Sequence, residues 1–186
     1  HASFLHRFFE DEPPEANYGR QFRAASAASD IPMTRVLREL FRPRLEFETA
    51  DWGFRIFALR PMDEQHSHVR VTNMVFPQAF VIPLSPEMTI TQWHVPVDDA
   101  GCYWYTIFTA FDRPVDKAEM YRQRIRLYEP PDYKPRLNRA NHWGYAPGEQ
   151  RDQTYTGMGF DINLHDQWAE SQGRIHDRTR EHLGTS

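Results

Sequence analysis

Cysteine is nearly missing from this 186-residue chain: Cys102 stands alone, which excludes an internal disulfide, a zinc ribbon and any cysteine-ligated iron–sulfur cluster within it. A reducing cytoplasm fits that usage. Long apolar runs are missing as well. The best candidate, residues 74–84, is interrupted by Pro77, Gln78 and Pro83, far short of the roughly 20 residues that a bilayer span needs, so no membrane insertion is expected. Positive charge is not in excess either. With 22 Lys and Arg against 26 Asp and Glu, the net charge is -4, which leaves no broad basic surface for nucleic acid.

What is present suits a folded core: 40% of residues are apolar and 14% aromatic. The length predicts one domain over residues 1–186 rather than two. His1 stands where Met is usual, and residues 1–9 read as the middle of an amphipathic segment with no cap before it. Ser186 ends a helical pattern without a stop signal, so both ends are expected to be cuts in a longer polypeptide.

Residues 1–10 (HASFLHRFFE) carry Phe4, Leu5, Phe8 and Phe9 at helical spacings, closed by Pro13 and Pro14. Residues 13–33, rich in Pro, Ala, Ser and Gly, read as a long connection. From Leu45 the pattern changes to short β-branched and aromatic runs: LEFET, GFRIFALR, HVRVTNMVF, FVIPL, MTITQWHVPV and CYWYTIFTAF, separated by Asp, Gly and Pro. Asp98, Asp99, Ala100 and Gly101 between the last two predict a hairpin. Helical spacing returns over residues 115–128, a polar loop fills 129–158, and a last helix is predicted over 164–183 with Leu164, Trp168, Ile175 and Leu183 on one stripe. Strands in one block with helices around them predict an α+β fold with a meandering antiparallel sheet.

His1 and His6 form H-x4-H, and Asp166 supplies a carboxylate far downstream. Two imidazoles and one carboxylate hold ferrous iron on one face and leave the other open for oxygen and substrate. Residues five apart on an ideal helix point about 140° apart, so one metal could take both histidines only at a helix end or a π-type bulge. A pair of surface histidines is the plain alternative. A zinc hydrolase is a third reading of the same donors, although no H-E-x-x-H offset provides its general base.

Three stretches carry a family resemblance: HASFLHRFFEDE at the start, WHVPVDD at 93–99 and HDQWAESQGRIHDRTREHLGTS at 165–186. Together they resemble the catalytic domain of Rieske oxygenases, in the phthalate dioxygenase and dehydrodivanillate O-demethylase branch. The family motif is D-x2-H-x4-H followed by a distant Asp. The resemblance therefore implies that His1, His6 and Asp166 bind a mononuclear Fe(II), while the leading Asp of the motif falls before residue 1. It also implies a helix-grip (Bet v1-like) sheet around a long C-terminal helix. The ligands of the Rieske [2Fe-2S] cluster are not in this chain, so they are expected in a separate N-terminal domain. Electrons would come from NAD(P)H through a reductase or ferredoxin. O2 would be activated beside an aromatic acid or methoxyarene, giving ring dihydroxylation or O-demethylation, in a head-to-tail homotrimer or a hexamer. A non-enzymatic helix-grip carrier of a hydrophobic ligand is the rival from another class, since fold alone does not decide function.

Other side chains are open candidates. Alternation predicts that Trp93 and His94 point to opposite sheet faces, one of them toward a cavity. Asn73 and Gln92 are possible hydrogen-bonding groups, and Arg7, Arg55, Arg60 and Arg70 are cations available to an acidic substrate. None is singled out by spacing. His66 and His68 are expected at an exposed strand edge, His165 is expected in solvent, and Glu10, Asp11 and Glu12 are expected to be a solvated acidic run.

Overall fold

A computed structural model describes Phe9 and residues 33–85, 87–111, 113–158 and 172–182. The six expected strands all form, as β1 (Arg44–Ala50), β2 (Gly53–Pro61), β3 (Ser67–Val75), β4 (Ala79–Ser85), β5 (Met88–Asp98) and β6 (Gly101–Ala110). They make one antiparallel sheet in the order of the chain. This sheet and the few helices beside it are the α+β arrangement predicted, and they fit a helix-grip fold.

Tight turns set the register. Between β5 and β6 the Asp98 carboxylate accepts a hydrogen bond from the Ala100 amide at 2.7 Å, a side chain standing in for a backbone turn. Between β1 and β2 the chain needs Gly53. Its φ is +146°, and a Cβ there would lie 2.0 Å from the Met74 carbonyl oxygen of β3. The Phe76 amide closes the same corner by donating to the Trp52 carbonyl at 2.9 Å.

Among the described residues, one helix precedes the sheet and another follows it. The short α1 (Met33–Glu39) was not anticipated: seven residues hold barely two turns, too few for an apolar period to be visible. The second, α2 (Lys117–Leu127), falls inside the predicted 115–128. The Asp116 carboxylate starts it by accepting from the Glu119 amide at 2.9 Å, which satisfies one of the unpaired amides of the first turn. Arg124 of α2 lies over the Phe108 ring of β6, 4.9 Å from its centroid.

The predicted loop 129–158 is irregular but structured, with a two-residue strand pair, β7 (Tyr128–Glu129) and β8 (Lys134–Pro135), and a helix α3 (Pro147–Asp152). Before α3 the chain passes through three left-handed residues, His142, Trp143 and Gly144. The reciprocal Asn138–Asn141 capping box holds this turn and seats Trp143 against Met158 and Leu137.

The predicted last helix requires correction. Its residues 164–171 and 183 lie outside the described residues. Residues 172–182 are not α-helical: Gln172 is in 3-10 conformation, and a 3-10 turn follows at Arg178–Arg180. Gly173 sits at φ +93°, a left-handed conformation that ends a right-handed helix. Asp177 then captures the Thr179 amide at 3.0 Å and its hydroxyl at 2.6 Å, the local competition by which Asp disfavours helix interiors. Ile175, expected on the buried stripe, is 75% exposed. The N-terminal helical stretch and the 13–33 connection also lie outside the described residues, apart from Phe9 and Met33.

Because Gly53 has both a left-handed φ and a carbonyl where a Cβ would go, Gly53→Ala is expected to cost at least about 2 kcal/mol of stability. A denaturant midpoint equal to wild type would show that this corner is not held as described.

Candidate functional site

Antiparallel pairing puts directly opposed residues on the same face. One row runs Phe54, Met74, Phe80, Gln92 and Thr106 across β2 to β6, and the adjacent row runs Arg55, Asn73, Val81, Thr91 and Ile107. The first defines an inner face. It contains Met88, Ile90 and Gln92, all at most 6% exposed, and Phe108 under Arg124 of α2. The second face carries Trp93, Tyr103, Tyr105 and Ile107, all exposed, and an open apolar groove of about 450 Å³ bordered by Trp93, Val95, Tyr105, Thr106 and Ile107. That groove has no titratable group other than the tyrosine, so chemistry belongs on the inner face.

Trp93 and His94 do point to opposite faces. His94 is the inward one, 5.0 Å centroid to centroid from Trp104 and 5.8 Å from Phe80. Trp104 on β6 presents a buried indole N–H with no hydrogen-bond partner. With Gln92 these residues form a polar and aromatic floor at one end of the inner face.

Arg60 marks the other end. It is 3% exposed, and its Nε donates to the Leu40 carbonyl at 3.0 Å while its Nη1 is buried without a partner. Burial pulls the guanidinium below its ordinary pKa, yet arginine stays cationic near neutral pH. No carboxylate among the described residues pairs with it. Its cross-strand partner is His68, half-buried, with Nδ1 also buried and unpartnered. Burial is the first cause holding the His68 imidazole below its usual pKa, and the charges of Arg60 and Arg70 follow. An uncompensated buried cation is costly and is normally paired, which makes Arg60 the candidate on this face for meeting an anion.

The other candidates separate accordingly. His1, His6 and Asp166 lie outside the described residues, as do Arg7, Glu10, Asp11, Glu12 and His165. Arg55 is on the outer face, paired with Glu48 at 2.8 Å and over the Trp52 ring. Asn73 is also on the outer row, while Gln92 is on the inner one. His66 is exposed as expected, and Asp63 accepts both its amide, at 2.7 Å, and a contact from its ring. The expectation of an exposed edge fails for His68, because His66 belongs to the turn whereas His68 is already inside β3. Among the described residues no three His, Cys, Asp or Glu side chains are grouped to hold a metal, and no helix among them is long and apolar enough to cross a membrane. Arg60 was visible in the sequence only as one of four available cations, and His68 only as half of a pair expected in solvent. Both phases of GFRIFALR are apolar, so alternation alone does not say which arginine is inside.

Residues 23–186 match the family described as "LigXa C-terminal domain like". Among curated proteins the chain is similar to the phthalate 4,5-dioxygenase oxygenase subunit of Pseudomonas putida, 29% identical over 154 residues. That alignment covers 77% of this chain and 34% of the relative, so the chain spans about a third of the relative's length.

If Arg60 is a cation held open for a ligand, Arg60→Met should leave the fold as stable as wild type or more so, by up to about 2 kcal/mol, since apolar replacement removes a desolvated charge. Thermal or denaturant unfolding measures this. A loss larger than about 2 kcal/mol would make the guanidinium a structural tie to Leu40 instead.

Proposed function

Because the chain belongs to the LigXa C-terminal domain-like family, the C-terminal catalytic domain of Rieske oxygenases, we propose that it is the oxygen-activating part of a longer oxygenase subunit acting on an aromatic acid. The observation that carries the substrate half of this reading is Arg60, a desolvated guanidinium on the inner face whose Nη1 is buried without a partner and which no carboxylate among the described residues meets. A substrate carboxylate is the complement of such a group. The name of the Pseudomonas putida relative, a phthalate dioxygenase subunit, agrees with an acidic aromatic. Gln92, His94 and Trp104 supply an aromatic, hydrogen-bonding floor on the same face, suited to a flat ring.

The metal would be a mononuclear Fe(II) on His1, His6 and Asp166. The donor types suit it: two neutral imidazoles and one carboxylate occupy one face of ferrous iron and leave sites open. When bound, the iron supplies O2 activation, with electrons from a Rieske [2Fe-2S] cluster in another domain and ultimately NAD(P)H through a reductase or ferredoxin. The outcome is hydroxylation of the ring or loss of a methyl group from a methoxyarene. Assembly as a homotrimer or hexamer in the cytoplasm belongs to the same reading, since a neighbouring protomer's cluster would be the electron source.

The full-length protein reconstituted with Fe(II) should retain about one mononuclear iron per chain beyond the cluster iron, and Asp166→Ala should lose it. Reductase-driven oxygen consumption with an aromatic acid should disappear in the same variant. If iron occupancy is unchanged in Asp166→Ala, the ligand assignment is wrong, and the hydrophobic-ligand carrier becomes the better account.

A further inference from the structure

Phe9 is the one described residue ahead of Met33, and both of its backbone polar groups are engaged across the fold. Its amide donates to the Gln153 carbonyl at 2.9 Å, and its carbonyl accepts from Nη1 of Arg38 at 2.9 Å. Each partner is itself fastened. Gln153 closes the turn after α3, where its own amide and that of Thr154 donate to the Glu149 carbonyl at 2.8 and 3.0 Å. Arg38 stands in the last turn of α1 with its side chain 19% exposed. Just past that helix, the Leu40 carbonyl accepts from Nε of the buried Arg60 of β2 at 3.0 Å. The sheet therefore holds α1, and α1 holds the chain at Phe9.

Phe9 comes only three residues after His6. Three residues reach at most roughly 11 Å, so a fixed Phe9 limits where the His6 imidazole can go, whatever conformation the intervening residues take. The Phe9 amide bonds to Gln153 rather than to the carbonyl four residues back that a continuing α-helix would use, and Phe9 is in a bend. A helix carrying His1 and His6 would therefore have to end by Phe9. A helix end close behind the pair is the condition under which H-x4-H can converge on one ion.

We propose that Arg38 is a positioning residue for the metal donors: by holding the Phe9 carbonyl it fixes the end of the donor segment, which raises metal affinity and restricts the placement of the His6 imidazole. This rests on the reading of His1, His6 and Asp166 as iron ligands given above.

The physical basis is the ordering of the chain that carries the donors. An ion gains from convergent ligands only what remains after that chain has been ordered, and two tertiary bonds at Phe9 leave less ordering for the ion to impose. Groups that orient metal ligands without touching the metal typically change its affinity by about 10- to 100-fold. Arg38 supplies one of two anchoring bonds and acts through three residues of backbone, so the lower figure is expected. The bond is a single N–H to a carbonyl oxygen, not a two-pronged fork, so a lysine can make it and a methionine cannot. That contrast separates the anchor from the bulk of the side chain.

The test uses the full-length protein, stripped of its mononuclear metal and titrated with Fe(II) against a competing chelator. Wild type is compared with Arg38→Met, Arg38→Lys and Arg35→Met. Arg35 lies earlier on α1, its side chain 55% exposed and 3.5 Å from Glu39, and controls for the loss of a positive charge from the helix. Fe(II) affinity should fall about tenfold in Arg38→Met and return to within about threefold of wild type in Arg38→Lys. Arg35→Met should bind as wild type does. The paramagnetic resonance signal of Fe(II) with nitric oxide, to which an oxidised cluster contributes nothing, should change shape in Arg38→Met and keep its wild-type shape in Arg38→Lys. Wild-type affinity and signal in Arg38→Met overturn the proposal. A weakening that Arg38→Lys fails to restore overturns it too, because a bond to Phe9 is what arginine and lysine share. If Asp166→Ala keeps its iron, the ligand reading fails and this proposal with it. If Asp166→Ala loses iron while Arg38→Met holds it as tightly as wild type, only the role of Arg38 fails. Should Arg38→Met fold poorly, Arg38→Ala replaces it.

Discussion

The two-residue alternation of the β2–β6 meander, interrupted only by register shifts at Pro83/Ser85 and Pro96/Asp98, is the constraint on which everything else in this protein rests. Neighbouring strands are antiparallel and in register, so the face assigned to one residue is assigned to its whole row. Gly53 at one corner and the Asp98 turn at another hold that register. A slip of one residue would exchange Arg60 for Leu59 on the inner face and turn His94 outward with Trp93 inward. The stability of the corners and the chemistry of the inner face are therefore one property seen twice.

The two faces handle charge in opposite ways. On the outer side Arg55 meets Glu48 across the strand pair in solvent, an arrangement that contributes little to stability but keeps the edge strand soluble. On the inner side Arg60 is almost fully covered, satisfied at Nε by a backbone carbonyl and buried without a partner at Nη1. A fold that merely needed to bury this position had apolar residues available, as Phe54, Ile56 and Ala58 in the same row of β2 demonstrate. A guanidinium kept there fits the acidic substrate proposed above, whose acid group it would use to fix the orientation of the ring.

Much of the fold was legible because its signals are local. Six β-branched and aromatic runs, cut by Gly, Asp and Pro, became six strands, and Asp116 before an amphipathic run became a helix cap. The failures were also local. α1 was too short to show a period, and in the C-terminal stretch Gly173 and Asp177 fitted an apolar helical spacing although their backbone preferences keep residues 172–182 out of an α-helix. The candidate metal donors, by contrast, came from order and spacing matched to a family, which reads chemistry without reading geometry.

The sequence by itself determined most of the elements, the α+β class and, through its resemblance, the family, and it nominated His1, His6 and Asp166 as candidate donors, because these depend on neighbours along the chain or on motif spacing. Only the tertiary structure decided which arginine is buried and which histidine stands beside it. In β2 both alternating phases are apolar, and His66 and His68 differ only in that Asp63 ties the first into a turn while the ladder carries the second opposite Arg60. The pairing itself joins consecutive strands, but the burial of Arg60 also needs the chain at Leu40 folded against it, and no alternation pattern encodes that.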